Sequence, residues 1–171
     1  DGLPAIALGL DAVESDIMER PPRSPREGVF ARRLHLRILL TGIIISACTL
    51  GVFMFSLWYC PGDIDRARTL AFTTLVCAQL VYVFQCRSER HSIFEIGIWG
   101  NLYLVGAVMI SGGMHVAILY YPLLQKMFQT TPLTIDDWLL VLVFAMASLF
   151  LDTVWRMSRS AIRKHFSMVK V

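Results

Sequence analysis

Residues 38–59 read ILLTGIIISACTLGVFMFSLWY, 22 consecutive residues without an Asp, Glu, Lys or Arg. At 1.5 Å of rise per residue a helix over this stretch is about 33 Å long, matching a hydrocarbon core of about 30 Å. Three further stretches have the same character. Residues 69–86 add 18 uncharged residues, 96–125 carry no charge over 30, and 138–155 give 18 interrupted only by Asp152. The third is long enough for a span plus part of a loop. The remaining composition agrees: 56% of the 171 residues are hydrophobic and mean hydropathy is +0.58. Such a chain is too apolar for an ordinary soluble domain and predicts an all-α membrane protein with little water-facing mass.

Working outward from these spans, the loop charges set an orientation, because Lys and Arg are retained on the cytoplasmic side of short loops. The segment before the first span holds Arg20, Arg23, Arg26, Arg32, Arg33 and Arg37, the 87–95 turn holds two, and the tail from Arg156 holds five. The opposite side holds Arg66, Arg68 and Lys126. Thirteen against three predicts a cytoplasmic tail and a cytoplasmic Pro/Arg-rich segment. Trp58, Tyr59, Tyr120, Tyr121 and Trp138 fall where an interfacial aromatic belt is expected. Gly97, Gly100, Gly106, Ser111, Gly112 and Gly113 are small enough to let helices approach around the third span.

Residues 1–11, DGLPAIALGLD, are too short to span. Pro4 lacks an N–H and loosens the helical ladder, which membrane helices tolerate where the freed carbonyls meet protein, water or an ion. The stretch reads as the C-terminal half of an interrupted helix. The expected organisation is this half-helix at 1–11, a cytoplasmic coupling loop at 12–37, four transmembrane helices within 38–155, and a basic cytoplasmic tail at 156–171. No signal peptide is recognisable and the first residue is not Met, so the chain reads as a piece of a longer polypeptide. Cys48, Cys60, Cys77 and Cys86 form no C-x-x-C pair and read as small apolar residues, with Cys60 the expected exposed thiol. His35, His91, His115 and His165 lack metal-ligand spacing.

Two motifs in fixed order identify a relative: D-G-L-P-A at residues 1–5 and D-I-M-x-R-P-P-R at residues 16–23. Together with four following spans and a basic tail, they resemble the sixth membrane helix onward of type II P-type ATPases, in particular calcium pumps of the sarcoplasmic-reticulum type or their bacterial counterparts. The resemblance covers essentially the whole chain. It implies helices 6 to 10 of such a pump, and it makes Asp1 a direct ligand of the transported cation. Physical chemistry agrees, since an intramembrane carboxylate is costly unless coordinated, and Ca2+ takes six to eight oxygens from carboxylates and unwound carbonyls.

The span at 69–86 contains no carboxylate, and Leu75 stands where two-site pumps place a Glu, so the resemblance implies one calcium per cycle. Gln79 resembles a Gln of plasma-membrane and bacterial calcium pumps. It reads either as an interhelical hydrogen-bonding residue or as part of the ion path. Asp152, one turn before Arg156, reads as a structural ion pair or, alternatively, a transport group. In the resembling pumps the loop carrying Asp16, Arg20, Pro21, Pro22 and Arg23 docks on the phosphorylation domain and couples it to the ion site.

The expected function is that of the C-terminal transmembrane part of an ATP-driven pump exporting Ca2+, with proton counter-transport. The phosphorylation motif D-K-T-G-T and a nucleotide loop do not occur, so no catalytic residue is expected here. ATP and Mg2+ would be bound by the rest of the polypeptide, namely the phosphorylation domain and transmembrane helices 1 to 6. The other expected partner is the lipid bilayer, with no nucleic acid. The single-site pattern and short tail favour a bacterial plasma membrane. Two alternatives stand beside this reading: a standalone four-span scaffold or channel-like protein, and a P-type pump for Na, K, H or Mn.

Overall fold

The computed structural model describes residues 2–11, 34–87 and 100–168, with side chains described for 2–11, 35–87 and 100–155. Every regular element among these is a helix: α1 (Gly2–Leu8), α2 (Leu34–Tyr59), α3 (Ile64–Gln85), α4 (Leu102–Tyr120), α5 (Pro122–Phe128) and α6 (Ile135–Met168). Four are long and apolar enough to cross a membrane, over His35–Tyr59, Ile64–Gln85, Leu102–Tyr120 and Ile135–Trp155. In hydrocarbon a backbone must satisfy its own hydrogen bonds, which leaves the helix as the local solution for such uncharged runs.

The helix boundaries follow local chemistry. Between α2 and α3 the chain turns through Pro61 and Gly62, whose φ of +106° belongs to glycine. The Asp63 carboxylate accepts a hydrogen bond from the Arg66 amide at 3.0 Å and caps α3, which therefore starts before the uncharged run at 69. The third uncharged run divides into α4 and α5, because Pro122 cannot continue α4 but suits the first turn of α5. At α6, Thr134 and Asp137 form a reciprocal box: the Thr134 amide donates to Asp137 Oδ2 at 3.0 Å and the Asp137 amide to Thr134 Oγ1 at 3.4 Å. The helix then runs past the last span to Met168, through residues whose composition alone marks a polar tail.

Packing centres on α2, α3 and α6. Val52, Leu70, Leu119, Leu133 and Val141 form the main buried cluster, with Phe144 and Trp138 against it. A second, smaller cluster joins Ala7 of α1 to Leu104 and Ala107 of α4, with Val83 and Phe84 of α3 alongside. Outside these cores the large apolar side chains face outward, Trp58 at 79% exposure among them, as expected where lipid or neighbouring protein replaces water.

Of the glycines the sequence pattern suggests, Gly100 is a place of close approach, and Gly51, outside the pattern, is another. Gly106 and Gly113 have open space beside them, and Gly112 meets only Leu80 at ordinary contact distance. The tight positions are Gly51, where an added Cβ would sit 3.1 Å from the Phe144 ring of α6, and Gly100, where it would sit 2.8 Å from the Arg87 guanidinium. Glycines are needed where a neighbour's side chain arrives, which residue spacing along one helix does not reveal.

Candidate functional site

Within residues 1–11 the structure has the seven-residue helix α1, and Asp1 lies immediately before it in sequence, outside the described residues. Asp16, Arg20, Pro21, Pro22 and Arg23 of the expected coupling loop also lie outside them. The support of the candidate site can therefore be built from α1 and what holds it.

Pro4 and Ala7 are the buried residues of α1, whereas Leu3, Ile6 and Leu10 point outward. At its far end, the Ala7 carbonyl accepts a hydrogen bond from Asn101 Nδ2 at 3.2 Å. The same Asn101 side chain accepts from the Leu104 amide at 2.9 Å through Oδ1 and so caps α4. Four residues beyond Ala7, Asp11 receives Arg87 as a fork, Nε to Oδ2 at 2.8 Å and Nη2 to Oδ1 at 3.2 Å. This pair is well shielded, with Arg87 7% and Asp11 17% exposed, which strengthens a charge-assisted contact relative to one in water. Asn101 escaped the sequence reading even though a Gly-Asn dipeptide before an apolar run is an N-cap signal. The Arg87–Asp11 pair has no local signal, since the partners are 76 residues apart.

Gln79 is half-buried on α3 and makes no hydrogen bond among the described residues. Three residues on, the Tyr82 hydroxyl donates to Thr41 of α2 at 3.5 Å, and Gln85 donates to Thr153 of α6 at 3.3 Å. Asp152 is 2% exposed and accepts from Thr41 Oγ1 at 2.7 Å. The structure thus gives this intramembrane carboxylate a hydroxyl from another helix; the side chain of Arg156, its expected partner, lies outside the described residues. Its second oxygen, Oδ2, is buried and has no hydrogen-bond partner among the described residues. His115 is also buried and lies 3.2 Å from Thr73 Oγ1 of α3 through Nε2.

At the opposite end of the spans, Arg66 reaches Asp137, which is 1% exposed, with Nε 3.1 Å from Oδ1. It also donates to Cys60 Sγ at 3.3 Å. Cys60 is consequently half-covered, and Cys86 is the exposed thiol, a reversal of the sequence expectation. Tyr120 donates to the Leu133 carbonyl at 2.9 Å and accepts from Trp138 Nε1 at 2.8 Å. Among the described residues no three His, Cys, Asp or Glu side chains gather as a metal site.

Comparison with known proteins gives the arrangement its context. Residues 1–158 match the family model described as cation transporting ATPase, C-terminus. The chain is 45% identical over 151 residues to a calcium-transporting ATPase of Bacillus subtilis, covering 88% of this chain and 17% of that protein. It is 32% identical to calcium-transporting ATPase 1 of Bacillus cereus, over 93% of this chain and 20% of that protein. Identity is 37% to calcium-transporting ATPase type 2C member 2 of Rattus norvegicus, over 82% of this chain and 15% of that protein. The chain therefore spans a fifth or less of the length of these curated relatives. An all-helical bundle with four membrane-crossing helices, matched by one family model over nearly its whole length, belongs to the C-terminal region of the cation-transporting ATPases.

Proposed function

We propose that this chain is the C-terminal membrane region of an ATP-driven calcium pump, in which Asp1 supplies a carboxylate to the transported ion. The observation that carries the reading is the 45% identity to a calcium-transporting ATPase over 88% of the chain, combined with a half-helix anchored immediately after Asp1. The chain's own residues supply one ligand carboxylate, a brace for the half-helix, and a helical bundle against which other spans move. ATP and Mg2+ belong to the remainder of the polypeptide, which would drive alternating access through phosphorylation.

Three finer features follow from the sequence. Transport of one calcium per cycle is supported by the absence of Asp or Glu from residues 66–85 of α3, where Leu75 and Gln79 stand instead. Proton counter-transport follows from electrostatics, because a carboxylate site emptied within hydrocarbon is stabilised by neutralisation. Asp16, Arg20, Pro21, Pro22 and Arg23 couple the site to the phosphorylation domain, a role supported by their place in the D-I-M-x-R-P-P-R motif. The charge distribution supports a cytoplasmic C-terminus, and the single-site pattern favours a bacterial plasma membrane.

The test is ATP-dependent calcium uptake by vesicles carrying the full-length pump. Asp1→Asn is expected to abolish high-affinity uptake, and calcium bound at saturation is expected to reach one ion per pump. Unchanged affinity and turnover in Asp1→Asn would remove Asp1 from the ion site. Two ions bound at saturation would overturn the single-site reading.

A further inference from the structure

We infer that Asn101 and Arg87 are positioning residues for the proposed cation site: by clamping the far end of α1 they set where the chain presents Asp1. The inference rests on the reading of Asp1 as an ion ligand. Neither residue is itself offered as a ligand.

The need for a clamp follows from the size of α1. A seven-residue helix has too few internal hydrogen bonds to hold an orientation alone, and most of this one faces outward. Among the described residues its apolar anchorage is Ala7 and Leu8 against α4 and the end of α3, with Pro4 the other buried residue. The polar anchorage lies at the same end and is directional. One Asn101 amide joins the Ala7 carbonyl to the first turn of α4, with both its oxygen and its nitrogen engaged. The Arg87 fork meets both oxygens of Asp11, which fixes the rotation of the chain leaving α1 as well as its distance from α3. Gly100 leaves room for that guanidinium, since a Cβ there would lie 2.8 Å from it.

Gly2, the residue after Asp1, is five residues from Ala7, about 7.5 Å along the axis of α1. Over so short a lever a change at the clamped end reaches the other end almost undiminished. Calcium–oxygen distances span only about 2.3 to 2.6 Å, so displacement of a ligand by a fraction of an ångström weakens binding. A loosened clamp should therefore appear as lost ion affinity, with the catalytic cycle otherwise intact.

The experiment uses the full-length pump in vesicles and reads the calcium concentration for half-maximal ATP hydrolysis separately from the maximal rate. Asn101→Asp keeps a capping oxygen for α4 but removes the N–H that binds Ala7. It is expected to weaken apparent calcium affinity about tenfold, the effect of one directional hydrogen bond, while the maximal rate stays within about twofold. Asp11→Arg and Arg87→Asp should each weaken affinity, and the double exchange should recover most of it. Wild-type affinity in Asn101→Asp and Arg87→Asp overturns the inference, and so does a lower maximal rate at unchanged affinity. Should Asn101→Asp fail to fold, the charge exchange decides: recovery supports the clamp, and defective single variants without recovery overturn it. Asp1→Asn measured alongside separates the two readings. Weakened affinity there with a wild-type response in the clamp variants defeats the clamp alone, whereas unchanged affinity in Asp1→Asn defeats the cation-site reading and the clamp with it.

Discussion

The two ends of this bundle are held in different ways. At the Cys60 end, contacts overlap: Arg66 bridges to Asp137, Asp137 is engaged by Thr134, and Tyr120 links the Leu133 carbonyl to Trp138. The Thr131 amide also donates to Thr69 of α3 at 3.1 Å. At the Arg87 end, the contacts of α1 among the described residues are the Asn101 amide, the Arg87–Asp11 pair and the small apolar cluster around Ala7. A region braced by overlapping polar contacts and the main apolar cluster should open as a unit at high free energy, while a seven-residue helix such as α1 should open locally at lower cost. The contrast suits a pump part in which one end is an anchor and the other carries an element whose position matters to ion binding.

Substitutions that break this contrast are expected to differ in size. The largest effect should come from Asp137→Ala, which strips a capping partner from α6 and leaves Arg66 without its carboxylate. A loss of about 3 kcal/mol is expected from removing one member of so buried a pair, measured by thermal unfolding of the full pump in detergent. Gly51→Leu should follow at about 2 kcal/mol, because the new side chain meets the Phe144 ring where α2 and α6 touch. Thr41→Val removes the hydroxyl that binds Asp152 and should cost about 1 kcal/mol, since hydrogen bonds between membrane helices contribute modestly. Tyr120→Phe should cost about 0.6 kcal/mol, because Thr131, Thr69 and Trp138 still tie the same region. If Tyr120→Phe proved as damaging as Asp137→Ala, the overlap inferred at the Cys60 end would be wrong. Hydrogen exchange would sharpen the comparison further: amides of α1 are expected to exchange faster than those of α6 near Val141.

Much of the architecture was legible because lipid imposes a simple rule on sequence: long uncharged runs become helices. The span at 38–59 coincides closely with α2, and the others differ where a local interaction outweighs charge. Helix α3 begins at Ile64, before the uncharged run, because Asp63 caps it and its charged first turn can reach the membrane interface. Pro122 divided a stretch that hydropathy alone left whole. The candidate site was less legible. Asp1 was identifiable from a motif, yet its support depends on Asn101 and Arg87, far along the chain. Asp152 could be recognised as an unusual intramembrane carboxylate, but its Thr41 partner lies 111 residues away. Periodicity reports which face a side chain occupies along its own helix, and it carries no information about which neighbour arrives there.

The separation between Ala7 and Asn101 bears on biogenesis. Synthesis proceeds at about 5 to 20 residues per second, so the 94 residues between them take roughly 5 to 20 s to appear. During that interval α2 and α3 can enter the bilayer and pair, but α1 lacks the cap residue and the α4 surface that will receive it. The half-helix must wait in the nascent chain until the third long span arrives. Ribosome-bound chains halted before Leu102 should leave α1 open to protease, and chains extended past Tyr120 should shelter it.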